Sequence, residues 1–226
     1  RKAVARNQLI LHYQPQVHGV TGRVEGVESL VRWDHPEHGL VPPFRWIPIA
    51  EELGIIEEIG AWVLARACAD LQEVRRAGLQ LPKIAVNVSA LQFNESFVDT
   101  VSTALRESGL PPDSLELELT EGIMINHQDA AVALVRQLKD LGVRLSIDDF
   151  GTGYSSLSYL TRFPLDELKI DRSFVLNLFE DEQSAELVRV IIAMANSLGL
   201  DIVVEGVERY EELEWFRGQD VHTVQG

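Results

Sequence analysis

Seven polar or charged side chains interrupt runs that otherwise read as buried strands. They are Glu28 in GVESLV, Asn87 in IAVNVS, Glu118 in LELELT, Asp148 in RLSIDD, Lys169 in ELKID, Glu205 in VVEGV and Gln225 in TVQG. A parallel strand covered on both faces should be nearly continuous Val, Ile and Leu. Burying an unpaired carboxylate is costly enough that the group finds a cation or takes up a proton. Any one of the seven could be a core polar group satisfied by a neighbour, but one in each of seven strands points to convergence on a shared face. Four carboxylates, Asp149 as a fifth and the amide oxygen of Asn87 form a hard oxygen set. Such a set suits Mg²⁺ or Mn²⁺ and differs from the His and Cys shells that favour zinc. Adjacent Asp148 and Asp149 alternate faces in a strict strand, but both can serve metal ions where the strand ends and bends. Lys169 cannot ligate while protonated, yet it can offset negative charge, hold a water or contact a phosphate oxygen. Glu205 could accept a proton from that water. The set fits metal-assisted attack of water on phosphorus, and it equally fits proton abstraction by an enolase-like site with carboxylate-held Mg²⁺ and a Lys.

The elements that must position these residues follow from the pattern of the chain. Strand-like runs fall at 9–17, 24–33, 83–89, 114–120, 144–149, 167–171, 201–207 and 221–226, eight in all. Stretches of helical spacing lie between most of them, at 55–77, 95–108, 128–141, 183–198 and 209–217, with short helical pieces at 43–53 and 155–162. Gly78, Gly109, Gly142 and Gly199 stand where helix C-caps would. Alternation of this kind predicts an α/β fold, a TIM-type (β/α)8 barrel, with a doubly wound open sheet as the alternative. The first two runs are joined by HGVTGR, too short for a helix, so the barrel is expected to be modified by an antiparallel first strand. In a barrel the C-terminal ends of the strands share one mouth, where catalytic residues sit.

Composition bounds what such a site can do. The 226 residues are 46% hydrophobic and 24% charged, which suits one domain spanning 1–226. The opening RKAVARNQLI lacks Met and is read as a domain excised from a longer protein. No apolar run approaches a membrane span, and no signal segment opens the chain. A net charge of −15 excludes binding of a nucleic-acid polymer along a basic stripe, while leaving room for a small anion received by metal ions or a few local cations. Cys68 is the sole cysteine, which fits a reducing, cytoplasmic setting, and its place in WVLARACADL reads as a small buried hydrophobe. His35 and His38, in a loop with Pro36 and Gly39, lack further nitrogen ligands. His12, His18, His127 and His222 have no triad-like company. Trp62 reads as core, and the acidic stretches EELGIIEEIG and EDEQ as solvated helix faces.

Taken together, YQPQV at 13–17, GVESLVRW at 26–33, HPEHG at 35–39, VNVS at 86–89, LELTE at 117–121, DDFGTGYSSLSYL at 148–160, LKIDRSFV at 168–175, VEGVE at 204–208 and VQG at 224–226 resemble the EAL-domain family of cyclic di-GMP phosphodiesterases. The resemblance runs through nearly the whole chain in order. It implies Mg²⁺- or Mn²⁺-dependent hydrolysis of cyclic di-GMP to linear pGpG. Glu28, Asn87, Glu118 and Asp148 are then metal ligands, and Asp149 serves a second metal with Asp148 bridging. Lys169 and Glu205 position and activate the attacking water, and Gln14, Leu30, Arg32 and Gln225 contact substrate. Arg32 also makes sense as a fork of donors for a phosphodiester oxygen. FGTGYSS resembles a mobile loop linking the metal site to dimer contacts, and Glu121 the residue that anchors it. Ser29 replaces the Ala of the Glu-Ala-Leu signature, and the chain stops at Gly226, where the family continues into a closing helix, so the last helix is expected to be missing. The resemblance also implies a homodimer, through helices after the runs at 144–149 and 167–171, and fusion to sensory or other signalling domains, including those of a larger membrane-anchored protein. A catalytically silent cyclic di-GMP receptor is the alternative, disfavoured by the full set of ligands.

Overall fold

In the computed structural model, residues 3–126, 128–151 and 160–226 are described. The opening hairpin sets the architecture. β1 (Leu9–His18) and β2 (Val24–His35) pair antiparallel, with Leu9 opposite Trp33 and Val17 opposite Val24. The turn between them closes through Gly22 at φ 70, a left-handed conformation that favours glycine. From β2 the sheet continues in parallel through β4 (Ile84–Val88), β5 (Leu115–Thr120), β6 (Arg144–Phe150), β7 (Glu167–Ile170), β8 (Asp201–Glu205) and β9 (Thr223–Gln225). β9 then pairs antiparallel with the free side of β1, so eight strands close into a barrel with one strand reversed. Outside the ring, β3 (Gly39–Val41) pairs with the end of β2. The sequence reading of eight strands omitted it, because three residues are too few to show alternation.

Helices α1 (Ile47–Glu52), α2 (Ile56–Arg76), α3 (Glu95–Ser108), α4 (Glu121–Asn126), α5 (Gln128–Leu141), α6 (Arg172–Leu176), α7 (Glu182–Leu198) and α8 (Tyr210–Gly218) cover the outside. Their ends are written in side chains. The carboxamide of Asn94 accepts from Ser96 N at 3.0 Å to start α3, and Asp181 accepts from Gln183 N at 3.0 Å to start α7. Gly78, Gly109, Gly142 and Gly199 all take positive φ just past a helix, as their placement predicts. The expected helical piece at 155–162 falls largely outside the described residues.

β5 shows how this barrel differs from one filled with apolar side chains. In LELELT, Leu115, Leu117 and Leu119 are buried under the helices, while Glu116 and Glu118 are buried too, on the face that turns inward. Alternation that usually means one solvated face here means a polar interior. Glu118 belongs to the layer at the C-terminal mouth; Glu116 belongs to a layer below it. In that lower layer Lys83 Nζ meets Glu116 at 2.9 Å and also contacts Glu167. Arg144 Nε meets Glu116 Oε2 at 3.1 Å and its Nη2 meets Asp201 Oδ2 at 2.7 Å. No sequence pattern groups the two glutamates, which stand 51 positions apart.

Burial and the neighbouring Glu116 carboxylate push Glu167 up to about 8, against the pull of the Lys83 ammonium. The folded state therefore holds a proton that the unfolded chain has already released, and stability falls as pH rises from the ordinary carboxylate range to about 8. Glu167→Gln is expected to flatten this slope and to gain on the order of 1–2 kcal/mol over the parent at about pH 8.5, with little gain at about pH 4.5. Urea denaturation of both proteins at the two pH values checks it; an equal difference at both would remove the reading.

Candidate active site

The seven polar residues singled out in the strands lie at the C-terminal mouth and form one connected network. Lys169, fully buried, stands at the centre. Its Nζ lies 2.6 Å from Glu205 Oε1, 2.7 Å from Glu118 Oε1, 3.4 Å from Glu28 Oε2 and 3.5 Å from Asp148 Oδ1. Glu28 is pinned from two further sides: Asn87 Nδ2 donates to its Oε1 at 2.6 Å and Gln225 Nε2 to its Oε2 at 2.6 Å. Neighbouring strands deliver these contacts in register, since Asn87 pairs with Glu118 and Glu205 with Gln225.

The electrostatics follow from burial and company. Burial alone would lower Lys169, yet Glu118, Asp148, Glu28 and Glu205 together hold it well above the usual lysine range. Burial would raise Glu28, but Lys169 and the donors from Gln225 and Asn87 outweigh it and hold it low. For Glu118 burial wins despite Lys169, with Glu28 and Asp148 adding repulsion, and its carboxyl is pushed well up. Glu205 is raised to about 7, chiefly by burial, with Lys169 opposing. Asp149 is raised by burial and by Asp148.

Asp148 and Asp149 occupy a bend. Asp149 takes φ 55, and the register between β6 and β7 shifts between Ile147 and Phe150. An L-residue reaches that region at a cost that Asp bears better than most. Just beyond, Gly151 stands at φ 92, and a Cβ there would lie 2.7 Å from the Phe174 ring. Glu121 Oε1 accepts from Gly151 N at 2.7 Å, fixing the start of the FGTGYSS segment. Residues 152–156 of that segment lie outside the described residues.

A cavity of about 340 Å³ opens beside Glu28 and Asn87 and extends to Leu30 and Arg32, with Pro43 and Trp46 in its walls. Arg32 is half-buried, its Nη1 donating to the Val31 carbonyl at 2.9 Å. Gln14 is half-buried on β1, opposite Glu28. Glu51 corrects the reading of EELGIIEEIG as a wholly solvated face: it lines this cavity and accepts from Ser89 Oγ at 2.6 Å. Its position one turn after Ile47 was the available signal, because that spacing places it on the apolar side of α1. Cys68 is buried, its thiol pushed up to about 12 by burial. His35, which closes β2 and was expected in the loop, and His38 stack on each other at 4.6 Å.

Among the described residues no three His, Cys, Asp or Glu side chains are arranged as a metal centre, the lysine ammonium standing amid the carboxylates. Donor chemistry nevertheless fits a divalent cation. Glu118 Oε2 and Asp148 Oδ1 are buried and accept no hydrogen bond among the described residues. Four carboxylates around one ammonium also leave negative charge to be offset.

No helix among the described residues is long and apolar enough to cross a membrane. The bifunctional diguanylate cyclase/cyclic di-GMP phosphodiesterase MucR of Pseudomonas aeruginosa is 46% identical over 227 residues, covering 100% of this chain and 33% of that protein. The cyclic di-GMP phosphodiesterase NbdA of the same organism is 46% identical over 227 residues, covering 100% of this chain and 29% of that protein. The chain thus spans about a third of the length of these relatives. A solved PaMucR phosphodiesterase in complex with c-di-GMP superposes with a TM-score of 0.96 at 46% identity, over 100% of this chain and 92% of that one. The family model described as EAL domain matches residues 1–226, and the chain belongs to that family.

Proposed function

We propose that the chain hydrolyses cyclic di-GMP to linear pGpG by attack of water on one phosphodiester. The observation that carries this reading is the set of four carboxylates converging on Lys169 beside a cavity that leads to Arg32. Glu28, Asn87, Glu118 and Asp148 would hold Mg²⁺ or Mn²⁺, with Asp149 available to a second ion. When bound, such an ion lowers the pKa of a water molecule and stabilises charge on the phosphoryl oxygens. Lys169 donates to the attacking water and orients it, and Glu205, on the same ammonium at 2.6 Å, takes its proton. The new bond forms between that water's oxygen and phosphorus as the bond from phosphorus to the 3′-oxygen breaks, and that oxygen leaves as a hydroxyl with a proton from solvent. Arg32 offers its guanidinium fork to a phosphodiester oxygen, with Gln14, Leu30 and Gln225 around the substrate. The wall provided by Pro43 and Trp46 suits a flat base.

The proposal extends to assembly. Leu187 and Val190 on α7 are 47% and 57% exposed, which supports a homodimer through this helix. Fusion to sensory or other signalling domains and a cytoplasmic setting, where the second messenger would be met, complete the reading.

The test is hydrolysis of cyclic di-GMP by the purified protein with Mg²⁺, with Mn²⁺ and with chelator, products followed by chromatography. pGpG is expected with either ion and none with chelator. Turnover unaffected by chelator would remove the metal roles. Tight binding without product would replace the enzyme with a receptor.

A further inference from the structure

Below the catalytic layer the barrel interior is polar and incompletely paired. Gln16 and Ser146 are each 0% exposed, and neither the amide atoms of Gln16 nor the hydroxyl of Ser146 has a hydrogen-bond partner among the described residues. Glu167 Oε1, buried in the same region, accepts no hydrogen bond there either. Buried polar groups are paired in roughly nine cases of ten, and an unmade bond costs about 1–3 kcal/mol. Ser146 stands in register between Glu118 on β5 and Glu167 on β7. Gln16 fills space left by Gly26, where a Cβ would lie 2.9 Å from Gln16 Oε1 and 2.7 Å from the Lys83 stem. On the β4 side the Lys83 stem lies against Gly26 and Ala85 stands opposite Glu28, so the bulky branched filling of an ordinary (β/α)8 barrel is missing there. Charge gives no reason for a further cation here: Glu116 and Asp201 already face Lys83 and Arg144, and Glu167, pushed up to about 8, adds little charge below that pH. What these atoms lack is a small neutral group that both donates and accepts.

We infer that ordered water molecules occupy the barrel interior beneath Glu118, bonded to Gln16, Ser146 and Glu167, and that they steady Glu118 for the metal. Neighbouring strands lie about 4.8 Å apart, which puts Ser146 and Glu118 within reach of one bridging water. The inference rests on the metal reading of Glu118 but not on the identity of the substrate. Ser146 is a positioning residue, and the space it leaves matters more than its hydroxyl.

High-resolution crystal structures and Mn²⁺ titration calorimetry, without nucleotide, test this on the parent, Ser146→Ala and Ser146→Val. Ser146→Ala keeps the space, so water density and Mn²⁺ affinity are expected to stay within about twofold of the parent. Ser146→Val fills the space, so the density should vanish and Mn²⁺ affinity fall by about tenfold, as when a metal ligand loses its outer partner. A role for the hydroxyl alone would instead make Ala as damaging as Val. Should the Val variant not fold, Ser146→Thr, which fills the same space with a shape close to that of Val, carries the same expectation. No water density at Ser146 in the parent overturns the inference, as does unchanged Mn²⁺ affinity in a folded variant that has lost the water. A parent that binds Mn²⁺ but leaves cyclic di-GMP intact would sink the proposed function and leave this inference standing.

Discussion

Lys169→Met is expected to lower turnover of cyclic di-GMP by about a thousandfold or more, the upper range for removing one preorganised donor, and to destabilise the metal-free protein by about 3–5 kcal/mol. The size follows from its position: it is completely buried and faces Glu118, Glu205, Glu28 and Asp148. Met keeps an unbranched apolar stem in place of the lysine methylenes and lacks only the terminal ammonium, so the loss would come mainly from charge. Without the ammonium, four carboxylates face one another, and Glu118, already raised by burial, would take a proton sooner. Urea denaturation without metal and product chromatography with Mn²⁺ give the two readouts. Added Mn²⁺ should recover part of the stability and none of the turnover, because a cation replaces the charge but not the donor to the attacking water. A variant as stable as the parent without metal would show that the carboxylates are not held apart by Lys169.

The second large effect is expected from an isosteric change. Glu28 receives Asn87 at one oxygen and Gln225 with Lys169 at the other, so it is oriented before any ion arrives. Glu28→Gln turns one of those acceptors into an NH₂ group facing a donor and removes a charge from the hard oxygen set. Turnover should fall at least about a hundredfold, with the far-ultraviolet circular dichroism spectrum unchanged. Mn²⁺ affinity measured on the same protein separates a lost ligand from a lost orientation. Full turnover in the folded variant would exclude Glu28 from the metal set.

The polar layer at the barrel mouth was legible because each member sits alone between apolar neighbours in its own strand. Glycines placed after helical spacing marked the helix ends at Gly109 and Gly199, since positive φ is a backbone demand that sequence shows directly. The hairpin was legible from a linker too short for a helix. Less was visible where partners lie far apart in sequence. Lys83, Glu116, Arg144 and Glu167 come from four strands or their approaches, and each in isolation passes for a surface charge. Glu51 was misjudged for a related reason: its acidic neighbours Glu52, Glu57 and Glu58 are exposed, while the cavity that half-buries it is made by β2 and the segment after β4. The bend at Asp149 shows the opposite limit, for two adjacent aspartates imply a bend without fixing which of them takes φ 55.

The reversed strand also imposes an order in time. β1 forms its hairpin with β2 from residues close in sequence, whereas its other edge pairs with β9 through Val17 with Val224 and His18 with Thr223. Contacts between such distant positions pay nearly the full loop-closure entropy of the chain and form slowly. On a ribosome, an edge of β1 made near the start must wait for residues made near the end, with its backbone N–H and C=O groups open to other strands until then.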